Sequence, residues 1–166
     1  MILIFVASLN ENVKLANKLQ EQLTQLGKKS EIVNLVELNL PMYHSLKEEN
    51  DGIPEVISTL IQKMNSSEAY MFVSPEYNFS LPPTHVNFIA WVSRAGDDFR
   101  KLFNLKTIQL ATHSGSGGND VSNAMRTQFT KLGSIIMPRE IITTYKIALR
   151  EDSSKKILKT FVNFLK

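Results

Sequence analysis

Short apolar runs alternate with amphipathic segments along this chain, and few folds accept that order. Ile2 to Ala7 is continuously apolar, the form taken by a strand buried on both faces. Val13 to Leu26 then places Leu15, Leu19, Leu23 and Leu26 at helical spacing, and Gly27 supplies the stop. Ser30 to Leu35 reads as a short strand, followed by a loop through Leu40-Pro41-Met42-Tyr43. Pro54 suits the first turn of a second helix, with Val56, Ile57, Leu60, Ile61 and Met64 on its buried face. Ala69 to Val73 is the next buried strand and a helix follows from Thr84 to Arg94. Thr107 to Thr112 reads as a strand, His113 to Gly118 as a Gly/Ser loop, and the helix beyond ends at Leu132-Gly133. Ile135 to Met137 and Glu140 to Thr144 form the last strand region. Ser153 is placed to cap a final helix whose buried face carries Ile157, Leu158, Phe161 and Leu165. Five strands alternating with helices imply a parallel sheet covered on both sides. With 166 residues and neither repeat nor linker, a single domain over residues 1–166 is expected.

Composition removes several function classes. There is no cysteine, which excludes thiol catalysis, iron–sulfur clusters and thiolate zinc sites. His44, His85 and His113 are too scattered for a metal-binding motif, so no metal site is expected. The 19 basic against 16 acidic residues raise the question of a nucleic-acid partner, but no basic run marks an arm. The excess falls late in the chain, with Lys155, Lys156, Lys159 and Lys166 assigned to the last helix, and reads as a solvated face. Neither nucleic acid nor membrane is expected as a partner. The opening apolar run follows no basic segment and precedes no small-residue cleavage site, so it does not read as a signal peptide, and a cytoplasmic location is expected.

Ligands of an open parallel sheet bind beyond the carboxyl ends of its strands. Three loops therefore matter: Ser8–Asn12, Pro75–Pro83 and His113–Gly118. In the first, Ser8, Asn10 and Asn12 precede or open a helix, where free N–H groups either bind an anion or are simply capped by those side chains. The loop has neither G-x-G-x-x-G nor G-K-[ST]. In the second, Pro75, Pro82 and Pro83 stiffen a backbone edge suited to a flat heterocycle, Tyr77 offers a ring face, and Asn78 tolerates unusual backbone angles. The alternative is a stiff connection with Tyr77 in a subunit contact. The third, Ser114-Gly115-Ser116-Gly117-Gly118, lets backbone approach a ligand closely. His113 reads as a loop histidine, because no neighbouring carboxylate is placed to orient it as a base. Ser116 lies outside a G-x-S-x-G elbow, and Ser74 ends its strand where a phosphoryl-accepting regulator needs Asp.

Ser74-Pro75-Glu76-Tyr77-Asn78-Phe79-Ser80-Leu81-Pro82 resembles the P-E-Y-N-x-S-x-P motif of the flavodoxin-like NADPH-dependent FMN reductase family, which includes quinone, azo and chromate reductases. Leu35 to Tyr43 resembles that family's D-L-x-x-L-x-L-P-x-Y segment, and Asn87 to Arg94 its K-N-x-I-D-W-x-S-R helix, with Ala90 in place of Asp. The resemblance implies a three-layer sandwich, its five-stranded parallel sheet in the order 2-1-3-4-5 with helices on both faces. It implies FMN as cofactor, NADPH or NADH as electron donor, and a quinone, azo, flavin or metal-oxyanion acceptor. Pro75, Glu76, Tyr77 and Asn78 would line the flavin ring, and Ser114, Gly115, Ser116 and Gly117 would approach its other side. Ser8, Asn10 and Asn12 would hold the phosphate, and here the chain departs from the family's G-S-x-R-x-x-S-x-N. Its loop is shorter, lacks the arginine and carries Glu11. The flavin carries the hard chemistry, so no catalytic side chain is assigned. A homodimer or homotetramer is a further implication, with Trp91 either at the subunit contact or in the core. A flavodoxin-type electron carrier and a binding module without flavin are the alternatives, although such carriers are strongly acidic and this chain is not.

Overall fold

The structure, a computed structural model, describes residues 1–95 and 98–165, so Lys166 lies outside the described residues. The strands are β1 (Ile2–Val6), β2 (Ser30–Asn34), β3 (Ala69–Val73), β4 (Thr107–Ser114), β5 (Ile135–Ile136) and β6 (Ile141–Thr144). The helices are α1 (Glu11–Gln25), α2 (Ser45–Asp51), α3 (Glu55–Ser66), α4 (Pro83–Val92), α5 (Asn119–Lys131) and α6 (Glu151–Phe164), with a 3-10 turn at Phe99–Leu102. All strand pairs are parallel, in the order β2-β1-β3-β4-β5, and β6 also pairs with β4.

The period of two in each strand sorts its side chains into two cores. Leu3, Phe5, Tyr70 and Phe72 face a core built with Ile57 and Leu60 of α3, Phe88 and Trp91 of α4, and Met125 and Phe129 of α5. Ile2, Ile4, Val6, Met71 and Val73 face the other, with Leu15 and Leu19 of α1 and Leu158 and Phe161 of α6. This is the expected three-layer sandwich. β1 and β3 are buried along their whole length, which is why they carry apolar runs instead of alternation.

The sheet has six strands, with the expected five in the expected order. Ala111 pairs with Val73 on one side and Ile141 on the other, so β6 occupies the edge of β4 that β5 also uses. The last strand is thus split by Met137-Pro138-Arg139-Glu140, where Pro138 has no N–H for the ladder. Other local expectations shift. His113 and Ser114 belong to β4 and not to a loop. Ser153 lies inside α6, whose N-cap position is Arg150 with no side-chain cap. Val56 is exposed, leaving Ile57, Leu60 and Met64 as the buried face of α3. Helix α2 has no sequence signal because it buries nothing. Trp91 is 0% exposed and its Nε1 donates to the Pro41 carbonyl at 2.7 Å, so it is a core residue and no candidate for a subunit contact. No described helix is long and apolar enough to cross a membrane.

Candidate functional site

The carboxyl ends of β1, β3, β4 and β6 lie at one edge of the sheet, and the segments leaving them enclose a cleft of about 510 Å³. Ser8, Asn10, Asn12, Pro75, Glu76, Tyr77, Ser114 and Gly115 all line it, whereas Asn78, Ser116 and Gly117 do not. Val36, Thr84 and Tyr145 line it without having been singled out. Val36 and Tyr145 each follow a strand end, so applying the strand-end rule to β2 and β6 as well would have found both.

Glu76 joins the second loop to the third. Its Oε1 accepts from Ser114 Oγ at 3.1 Å and from Ser116 Oγ. Its Oε2 accepts from the Val121 N–H at 3.1 Å, one of the free donors in the first turn of α5. Burial raises its affinity for a proton, but the hydrogen bonds from Ser116, Val121 and Ser114 outweigh burial and hold the carboxyl below the ordinary value. A carboxylate so engaged is a weak base, and Ser114 and Ser116 face it without an imidazole to activate them. Among the described residues the cleft shows no acyl-transfer constellation.

Tyr77 and Ser80 close a tight turn, Tyr77 N to Ser80 O at 3.1 Å and Ser80 N to Tyr77 O at 3.0 Å. Both central residues have positive φ, 49° at Asn78 and 60° at Phe79. Asn accepts that region readily and Phe does not. Since Phe79 is 69% exposed, its ring contributes little packing to offset the strain. Phe79→Gly is expected to raise stability by about 0.5–1 kcal/mol, read as a higher denaturant midpoint with unchanged slope.

The first loop is fixed from outside itself. Thr84 Oγ1 donates to the Ala7 carbonyl at 2.6 Å, and the Ala7 N–H donates to Val73 O at 3.0 Å. Asn10 sits at the N-cap of α1 with φ 57° and makes no side-chain cap, so the simple capping reading does not hold for it. Ser8 is buried, and its hydroxyl donates to the adjacent Leu9 carbonyl at 3.3 Å. Asn12 clasps the His113 backbone, Nδ2 to O at 3.1 Å and the His113 N–H to Oδ1 at 2.8 Å, which ties α1 to β4 across the cleft floor.

His113 is a wall residue of the cleft and not a free loop histidine. Thr143 Oγ1 donates to Thr112 O at 3.3 Å, so the 3.0 Å contact between His113 Nδ1 and Thr143 Oγ1 is assigned with Nδ1–H donating. Nε2 is then a buried acceptor without a partner among the described residues. The Tyr145 ring stands edge-on to the imidazole, centroids 4.9 Å apart.

The charged side chains lining the cleft are Glu11 and Glu76, with no lysine or arginine among the lining residues. Lys14 Nζ lies 2.7 Å from Glu11 Oε1, and that hydrogen bond, set against some burial, holds the Glu11 carboxyl below its ordinary value. Among the described residues no three His, Asp or Glu side chains group as metal ligands do. Stiff backbone edges, hydroxyls and two tyrosine rings around a cleft of this size suit a flat heterocycle. The cleft's own lining offers no cation to a phosphate.

The profile of the NADPH-dependent FMN reductase family matches residues 1–146. The quinone reductase of Escherichia coli (strain K12) is 30% identical over 59 residues, 36% of this chain and 31% of that protein. The FMN-dependent NADH:quinone oxidoreductase of Vibrio parahaemolyticus is 26% identical over 123 residues, 67% of this chain and 62% of that protein. The alignments thus span less than two thirds of these relatives' lengths. Among solved structures, FerB, a flavoenzyme NAD(P)H:(acceptor) oxidoreductase from Paracoccus denitrificans, superposes with a TM-score of 0.74 at 22% identity, covering 99% of this chain and 93% of that one. The likeness to that structure is one of fold.

Proposed function

The chain belongs to the NADPH-dependent FMN reductase family, and on that premise we propose that it binds FMN in the cleft and acts as an NAD(P)H-dependent oxidoreductase with a quinone-type acceptor. The observation that carries this reading is the meeting of three loops, distant in sequence, around one cleft at the carboxyl edge of a parallel sheet. Bound there, FMN supplies the two-electron chemistry between a reduced nicotinamide and the acceptor; azo compounds, free flavins and metal oxyanions remain within the proposed acceptor range.

The protein's part is to bind and to orient. In this reading Pro75, Glu76 and Tyr77 flank the ring, Ser114 and Gly115 close its far side, Asn78, Ser116 and Gly117 shape the two turns without lining the cleft, and Ser8, Asn10 and Asn12 form the phosphate end. Two of these act through their neighbours. Glu76 fixes the Ser114–Gly117 turn against the start of α5, and Asn12 fixes the His113 backbone. Tyr77, half exposed at the cleft mouth, supplies an aromatic surface that shields the site from water. The fold acts as one flavin-binding domain over residues 1–166. A cytoplasmic location and assembly into a homodimer or homotetramer belong to the same proposal.

The test is a titration of flavin-free protein with FMN, followed by absorbance and flavin fluorescence. Saturation at one FMN per chain is expected, and Tyr77→Ala is expected to weaken it by about tenfold through lost ring contact. Absence of FMN uptake removes the reading.

A further inference from the structure

A second basin of about 310 Å³ adjoins the cleft, and the two share Glu11, His113 and Tyr145 as a common wall. Tyr145, in that wall, is 80% exposed. Beyond it the chemistry changes sign. The basin is lined by Lys14 and Lys18, one turn apart on the same face of α1, opposite Thr143, Thr144 and Ile147 to Leu149. Lys18 has no ion-pair partner among the described residues. Lys14 already reaches the wall, since its Nζ lies 2.7 Å from Glu11 Oε1. The cleft thus has the backbone edges and rings without a cation, and the basin next to it has the cations.

We propose that this basin meets the phosphate of a nucleotide ligand bound in the cleft, with Lys14 and Lys18 supplying the positive charge that Ser8, Asn10 and Asn12 lack. The proposal rests on the flavin reading and extends it. A phosphate at the wall competes with Glu11 for the Lys14 ammonium and is approached by Lys18 from the next turn. A compact ammonium on a flexible stem can make this exchange without moving backbone. The phosphate belongs either to FMN or to the 2′ position of NADPH, and both present the same dianionic group.

Two pairs of affinities separate the sources. FMN and riboflavin are titrated by flavin fluorescence, and NADP⁺ and NAD⁺ by calorimetry on FMN-saturated protein, using wild type, Lys14→Gln/Lys18→Gln and Lys18→Arg. If the basin holds the flavin phosphate, the double variant lowers the FMN-to-riboflavin affinity ratio by about tenfold or more, leaves riboflavin binding unchanged, and Lys18→Arg retains the ratio. If it holds the donor phosphate, the same drop occurs in the NADP⁺-to-NAD⁺ ratio instead. Both ratios unchanged in a variant that still binds riboflavin overturns the proposal alone. A wild-type protein that binds neither flavin overturns the flavin reading, and this proposal with it.

Discussion

Replacing Gly118 by alanine is expected to destabilise the fold by about 2–4 kcal/mol and to abolish flavin uptake at micromolar FMN. Gly118 occupies the N-cap position of α5 with φ +79°. An added Cβ there would stand 2.6 Å from Thr112 Cγ2 and 3.2 Å from Ile142 Cγ2. Both neighbours are on paired strands, β4 and β6, so the sheet cannot yield and the start of α5 must move instead. The N–H of Val121 that Glu76 accepts moves with it, and with that bond goes the clasp between the second and third loops. Gly117→Ala is the control. Beyond its two chain neighbours, no atom of the described residues lies within 4 Å of its would-be Cβ, and its φ is not positive, so a change within about 0.5 kcal/mol is expected. Equal losses at the two positions would contradict the steric account.

The second large effect is a loss of stability in mild acid, traceable to His85. This side chain is fully buried between Phe72 and Phe129, centroids 5.4 and 5.6 Å away, and its Nε2 pairs with Gln128 Oε1 at 2.8 Å. Burial pushes its pKa down to about 4, only partly countered by the bond to Gln128. The unfolded chain binds a proton near the ordinary value of about 6.5, while the folded chain resists it down to about 4. The unfolded state therefore holds more protons in that window, and stability rises with pH across it. The contribution is fully present above about pH 6.5 and lost progressively as the pH falls to about 4, about 3 kcal/mol in all. His85→Leu leaves the half-buried Gln128 able to reach water and removes the titrating group. From pH 7 to pH 4 the denaturant midpoint of the wild type is expected to fall more steeply than that of His85→Leu. Parallel curves would show that His85 is not the group responsible.

The parts of this molecule that the sequence makes legible are those governed by local periodicity. The continuous run from Ile2 to Val6 marks a strand between two cores because each of its faces is buried, and the leucines of α1 announce a one-sided helix. Loop positions followed from the strand ends, and the stiff Pro75–Asn78 segment stood out by composition. What stayed hidden depends on contacts between distant residues. Nothing near Asn12 indicates that its amide will clasp the backbone of His113, 101 residues away. Glu76 reads as a ring-lining residue, but its carboxylate is directed to Ser114, Ser116 and the first turn of α5. Helix α2 buries no residue and so leaves no apolar stripe to read, and the split between β5 and β6 falls at Pro138, which sequence alone marks only as a break. The charge of the site was the least legible feature. The missing arginine of the first loop is visible in the sequence, whereas the approach of Lys14 and Lys18 to a basin behind the cleft wall is a property of the packed helix.

The central claim is that this cleft holds a flavin which reduced nicotinamide can reach. Protein loaded with one equivalent of FMN is mixed anaerobically with NADPH, or with NADH, and the flavin absorbance is followed before and after addition of a quinone. The account predicts bleaching with at least one donor and recovery of the oxidised spectrum on adding the quinone, with Gly118→Ala inactive in both steps. An FMN-loaded protein whose spectrum neither donor changes would contradict it.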